Sequence, residues 1–241
     1  MHCAKSAPVH DLLYRFQDFA REARSVIDII ERYNPGAETV LDVACGPHEH
    51  ARTLIGKYRV DGIDILPEFL DTARQKNPRG RYWAADMRDF RLEDAYDVVL
   101  CLSSSIGYLA DTDELDSVIA NFARHLNAGG VAILVPWYTP DNWKDKPLSL
   151  VTVDEPDLKV VRITRRSRDG AMSFMDFTYV VATGAQVDVF EERHALALFS
   201  DADIQRAFAR AGMACEHIAA DTGWGYWVGS ITTLEPRGSS L

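Results

Sequence analysis

A chain of 241 residues with 47% hydrophobic content can fill one α/β domain carrying an insertion, and none of its apolar stretches approaches the roughly 18 consecutive residues of a membrane span. Lys plus Arg number 26 against 36 Asp plus Glu, and the resulting formal charge of −10 argues against nucleic-acid binding, which calls for a basic stripe. The four cysteines (Cys3, Cys45, Cys101 and Cys215) are scattered without C-x-x-C spacing, and MHCAKSAPVHD has no apolar signal core, so no zinc, no disulfide framework, no membrane partner and a cytoplasmic location are expected.

Along residues 8–33, Leu12, Leu13, Phe16, Phe19, Ala20, Ala23, Val26, Ile27 and Ile30 recur near helical spacing, predicting one helical run up to the stop at Asn34-Pro35-Gly36. Strands are expected over 39–44, 59–64, 81–86, 96–102 and 130–136, with helices between them, among them 66–76 and 112–127. Asp111 caps the latter helix, and Gly129-Gly130 leads into the fifth strand. Residues 148–198 break the alternation and predict successive antiparallel strands with turns at Asp157, Asp169-Gly170 and Gly184. A helix near 200–211 and strands near 213–220 and 226–232 follow. No repeat, low-complexity tract or linker divides residues 1–241, so a single α/β domain is expected, with 148–198 as an inserted antiparallel β lid or dimer platform.

The chemistry is concentrated in TVLDVACGPHEHA, RVDGIDILPEFLDTAR and RYWAADMRDF, where Asp42, Asp64 and Asp86 recur at a constant interval of 22 residues. That interval suits strand–helix–strand units, and carboxylates at the carboxyl ends of neighbouring parallel strands converge on the crevice where open α/β sheets bind nucleotides. The loop Gly46-Pro47-His48-Glu49-His50 has one glycine where a dinucleotide fingerprint needs three, and no G-x-x-x-x-G-K-[ST] cradle occurs anywhere. A pyrophosphate beside Asp42 and Glu49 meets like charge. S-adenosylmethionine (SAM), cationic and free of phosphate, fits better.

LDVACG, VDGID, ADMRDFRL, SSSIGYL and FARHLNAGGVAIL-PW resemble class I SAM-dependent methyltransferases with a Rossmann-like sheet and helices on both faces. More narrowly they are similar to the nucleotide-sugar N,N-dimethyltransferases of desosamine and mycaminose formation, from DLLY to GWGYWVG. The resemblance implies a turn at Gly46 whose backbone faces the methionine tail, Asp42 on the ammonium side of SAM, and Asp64 on both ribose hydroxyls. Plainer roles for these carboxylates are helix capping. It also implies Asp86 and the Met87 N–H on adenine, Leu102 packed on the adenine face, and Ala44, His50 and Ile65 as further donor contacts. Tyr14 resembles a tyrosine that closes over donor and acceptor, and His125 matches a position that helps place the acceptor. Helix packing, and a helix C-terminal position favoured by the macrodipole, are the respective alternatives.

The chain departs from the pattern at His48, where the family has a second glycine and a histidine tolerates unusual φ only at a cost, and in lacking a few residues after DLLYR. The triplet His48-Glu49-His50 lacks metal-ligand spacing, and no metal is expected. The aromatics Trp137, Tyr138, Trp143, Tyr179, Trp224, Tyr226 and Trp227 could cage a cation or pack as core or dimer contacts; Arg162, Arg165, Arg166 and Arg168 could meet a phosphate-bearing acceptor or form a solvated face. The expected activity is N-methylation of a small-molecule amine, an amino sugar nucleotide of secondary metabolism in particular, and the strand-rich insertion leaves room for either a monomer or a homodimer. Intramolecular cyclisation of SAM releasing methylthioadenosine, and a silent SAM-binding subunit, stand as alternatives.

Overall fold

The computed structural model describes residues 5–144, 148–220 and 225–231. Its first strands are β1 (Thr39–Val43), β2 (Arg59–Asp64), β3 (Tyr82–Ala84), β4 (Tyr96–Cys101) and β5 (Leu126–Leu134). A separate antiparallel sheet follows, β6 (Ser149–Glu155), β7 (Leu158–Asp169), β8 (Met172–Thr183) and β9 (Val187–Ala197), and the chain then returns with β10 (Met213–Ile218) and β11 (Tyr226–Ile231). The main sheet has the order β10-β11-β5-β4-β1-β2-β3, parallel except where β11 pairs antiparallel with β5 and β10. Strand order reverses between β1 and β4, and the crevice at such a switch point is where this architecture binds ligands.

Alternation along each central strand serves two buried faces. Val40, Val98, Val131 and Ile133 face α2 (Phe19–Tyr33), whose stripe of Ala23, Val26, Ile29 and Ile30 is buried against them. Leu41, Val43, Val99, Ala132 and Leu134 face α5 (Thr112–Arg124) and α6 (Asp201–Arg210), which contribute Val118, Ile119, Phe122, Ile204 and Phe208. Each such large side chain contributes on the order of 1.5–3 kcal/mol by leaving water. Asp111 accepts from the backbone N–H groups of Asp113 and Glu114 to start α5, and Ser200 and Asp203 form a capping box on α6.

The expected continuous helix over 8–33 is two elements. The short α1 (His10–Leu13) ends at Tyr14, and α2 starts afresh after Asp18, whose carboxylate caps Arg21 N–H. The apolar positions serve different cores: Val9 and Leu13 are buried with Val153, Val160, Phe177 and Tyr179 of the antiparallel sheet, while the α2 stripe packs on the main sheet. The helix expected over 112–127 ends at Arg124, because β5 begins at Leu126, ahead of the glycine pair. Trp224 and Thr232, the latter ending the last expected strand, lie outside the described residues, as does Cys3. No helix among the described residues is long and apolar enough to cross a membrane.

Candidate active site

At the switch point, the C-terminal ends of β1, β2, β3 and β4, the segment before α2 and the inner face of the antiparallel sheet enclose a cavity of about 900 Å³. The turn after β1 is built from left-handed backbone at Ala44, Gly46 and His48, with φ of 57°, 54° and 62°. Cys45 N–H still bonds Ile63 O at 3.0 Å, so the loop leaves the sheet in register with β2.

Asp64 closes β2 and ties two segments together: Oδ2 accepts from Gly46 N–H at 2.8 Å and Oδ1 from Leu66 N–H at 2.9 Å. Each oxygen keeps a further lone pair for a ribose hydroxyl. Burial, reinforced by the charge of Asp42, raises the Asp64 carboxyl above the ordinary range against the pull of these N–H groups. Ala44, Gly46, His50, Asp64, Ile65, Asp86, Met87 and Leu102 all line the cavity. Asp86 is engaged by Arg88, whose Nε and Nη2 lie 2.9 and 2.6 Å from its oxygens, and these bonds hold its carboxyl low. His50 Nε2 is 2.9 Å from Glu22 Oε2, so α2 supplies a carboxylate beside the Gly46 turn that the sequence reading missed.

Asp42 does not line the cavity. Period-2 alternation turns it to the α2 side of β1, where it is 2% exposed and faces His48 Nε2 at 3.4 Å. Asp42 was expected on the ammonium side of SAM, directly or through water; the structure sets it behind the loop, with Glu22 on the cavity wall. Nor does His48 crowd the loop. Its ring is turned inward and wholly buried, with Nδ1 2.7 Å from the Tyr82 hydroxyl.

His125 is also corrected. It lies at the start of β5, at the sheet end opposite the crevice, stacked on Phe90 with centroids 4.3 Å apart. Its Nδ1 donates to Asn121 O at 2.8 Å and its Nε2 accepts from Leu92 N–H at 3.1 Å. Burial lowers its pKa, and with both nitrogens committed it joins loop to helix rather than touching a ligand.

Tyr14 lines the cavity, and its hydroxyl accepts from Arg162 Nη1 at 3.1 Å. Alternation along β7 sends Arg162 and Arg166 inward, while Arg165 pairs outward with Asp176 at 3.0 Å. Arg168 is spent on Gly170 O and Pro140 O. Arg162 is 6% exposed, its guanidinium 4.9 Å from the Phe177 centroid, and Arg166 Nη1 donates to the Tyr138 hydroxyl at 3.1 Å. Both Nε atoms are buried without a partner, and among the described residues neither arginine has a carboxylate within ion-pair reach. Of the other aromatics, Trp137 and Tyr226 line the cavity, whereas Tyr179 and Trp227 belong to the cores.

Tyr108 and His194 are the further residues not foreseen: the hydroxyl of one is 2.5 Å from Nδ1 of the other at the cavity wall. SSSIGYL carried the signal for Tyr108, and inward alternation of β9 carried that for His194. No set of His, Cys, Asp or Glu among the described residues converges as a metal site. His48, Glu49 and His50 diverge to Asp42, Lys76 and Glu22.

Residues 40–130 match the methyltransferase domain family. The chain is 34% identical to a dTDP-3-amino-3,4,6-trideoxy-alpha-D-glucopyranose N,N-dimethyltransferase of Streptomyces venezuelae, over 95% of this chain and 99% of the relative. Among solved structures it is similar to the sugar N-methyltransferase KedS8 of a Streptoalloteichus species (36% identity, TM-score 0.87, 92% of each chain). It is also similar to SAM-bound CalS10, an amino pentose methyltransferase of Micromonospora echinaspora (31% identity, TM-score 0.84, 93% of this chain and 97% of that one).

Proposed function

The chain belongs to the SAM-dependent methyltransferase family that includes the sugar N,N-dimethyltransferases, and from that membership we propose that its acceptor is the amino group of a nucleoside-diphosphate amino sugar. Its activity is SAM-dependent N-methylation of a small amine; cyclisation of SAM and silent binding find no support among these relatives. The observation that carries the acceptor class is the pair Arg162 and Arg166, two inward cations without a carboxylate partner among the described residues. Leaving a buried charge uncompensated is costly, and a planar guanidinium matches phosphate oxygens in a two-pronged contact. A diphosphate at this wall supplies the missing charge.

Bound SAM supplies an electrophilic methyl on a sulfonium. The chain's part is to hold and orient: Asp64 takes the ribose hydroxyls, Met87 and Leu102 flank the adenine, and Glu22 with the Gly46 turn receives the tail. Tyr14 and Arg162 close the acceptor side. Collinear alignment of amine, methyl and sulfur and exclusion of water are the main contributions, with no covalent nucleophile required. In this reading residues 1–241 act as one domain and 148–198 as a fixed wall of the site, the lid of the sequence reading.

A homodimer is part of the proposal, and what supports it is the outer face of the antiparallel sheet, which exposes Leu150, Ile163, Val187 and Val189. The proposed setting is the cytoplasm, with a small molecule rather than nucleic acid or membrane as partner; the net charge of −10 supports the exclusion of nucleic acid. Calorimetric titration with dTDP tests the acceptor class. Saturable binding that is lost when Arg162 and Arg166 are both replaced by Met is expected, and equal binding by both proteins refutes it.

A further inference from the structure

Methyl transfer needs a neutral amine, and an amino-sugar amine enters largely as ammonium at neutral pH, so the site must dispose of a proton. Tyr108 stands just past the end of β4 and lines the cavity together with Leu102, Ser104 and the inward arginines of β7. Its hydroxyl is 2.5 Å from His194 Nδ1. Two residues earlier on the same face of β9, Glu192 Oε2 lies 3.9 Å from His194 Nε2. The Glu192 carboxylate is fixed in turn by Ser6, whose N–H and Oγ donate to it at 3.0 and 2.8 Å. The order phenol, imidazole, carboxylate runs from the cavity inward, and His194 is 3% exposed.

We infer that Tyr108, His194 and Glu192 form the proton outlet for the acceptor amine. This rests on the acceptor being an amine bound in this cavity. The ammonium proton passes to the lone pair of Tyr108 Oη while the Tyr108 hydroxyl proton passes to His194 Nδ1. The amine becomes neutral, Tyr108 is unchanged, and the imidazolium is balanced by Glu192. The nitrogen then takes the methyl from sulfur, giving S-adenosylhomocysteine and an N-methylammonium, and His194 returns its proton to solvent as the products leave. Tyr108 is the catalytic residue, since it touches the amine; His194 and Glu192 act through it. The same path can strip the N-methylammonium for a second transfer.

Other groups facing His194 are consistent with this direction of flow. Phe177 packs edge-on to its ring at 4.7 Å. Across β8 in register, through Met175, lies Arg166, and Arg162 lies beyond Phe177. Tyr179 faces Glu192, and Lys5 donates its backbone N–H to Glu192 and lies over Phe190.

The test is the pH dependence of kcat and of both KM values for Tyr108→Phe, His194→Asn and Glu192→Gln, with an amino-sugar nucleotide as acceptor. Wild-type turnover is measured first; its absence overturns the acceptor reading and the outlet with it. With wild type active, Tyr108→Phe and His194→Asn are expected to lower kcat at neutral pH by about 10²-fold or more. SAM affinity should persist, and activity should recover as rising pH supplies neutral amine from solution. An unchanged kcat, or a loss that is the same at every pH, overturns the outlet while leaving the acceptor reading standing. Tyr108→Phe keeps the ring and its packing, so the test survives if His194→Asn does not fold.

Discussion

His48 and Asp42 face each other beneath the SAM loop, Nε2 to Oδ2 at 3.4 Å, and this buried contact stands where the family has a second glycine. The positive φ of 62° at His48 costs about 1–2 kcal/mol for a non-glycine residue. Against that cost the buried imidazole gains a contact of 2.7 Å between Nδ1 and the Tyr82 hydroxyl, with Nε2 facing Asp42. Deleting the wholly buried ring leaves a cavity and removes the Tyr82 contact, a cost of about 2–5 kcal/mol that exceeds the relieved backbone strain. His48→Gly should therefore lower the melting temperature, and adding Asp42→Asn should recover part of the loss. A melting temperature that rises in His48→Gly would show that the glycine is simply better there.

Asp64 is proposed to clamp the ribose of SAM. Asp64→Ala should weaken SAM binding tenfold or more, since hydrogen bonds to a charged group are worth about 1.5–3 kcal/mol. Isothermal titration reads this directly, and unchanged affinity refutes the ribose role.

The pH dependence of that clamp has a definite sign. Burial raises the Asp64 carboxyl in the folded protein. Ribose hydroxyls donate to the ionised form, so SAM affinity should fall as pH drops through the raised value. Stability of the free protein runs the other way, because a folded-state pKa above the unfolded one makes proton uptake favour the folded state. Asp64's contribution is thus unfavourable at neutral pH and relieved on acidification through that window. SAM titrations between pH 4 and 8 should show the affinity trend (values to be read relative to the ordinary carboxyl at about 4), and Asp64→Asn should flatten it. An affinity independent of pH in the wild type would contradict the clamp.

In the proposed acceptor site, Arg162 and Arg166 are expected to act in opposite directions on binding and folding. Replacing either with Met should raise the acceptor KM on the order of tenfold or more while leaving SAM affinity unchanged. The same changes remove an inward cation without a carboxylate partner among the described residues, so the melting temperature should hold or rise. A matching loss of SAM affinity would make these arginines structural supports for the whole cavity.

The strand–helix alternation, the antiparallel insertion and the carboxylates at 64 and 86 were legible because they rest on local period and spacing. The placement of Asp42 was not legible, because its motif fixes its position along β1 but alternation decides its face, and residue 42 shares the α2 side with Val40. His125 shows the same limit at longer range. A helix between parallel strands ends beside the start of the next strand, so FARHL lies at the sheet end opposite the crevice, whereas Tyr108, just beyond β4, lies at its mouth. The pairing of Tyr108 with His194 spans 86 positions and had no local signature. Inward direction of Arg162 and Arg166 was readable from alternation once β7 was placed, but their lack of partners among the described residues emerges only in three dimensions.

The most direct measurement is mass spectrometry of the products after incubation with SAM and a dTDP-amino sugar. Acceptor-dependent S-adenosylhomocysteine together with N-methylated sugar nucleotide is the predicted result. Methylthioadenosine formed without an acceptor, or S-adenosylhomocysteine formed while the sugar nitrogen stays unmethylated, would contradict the account.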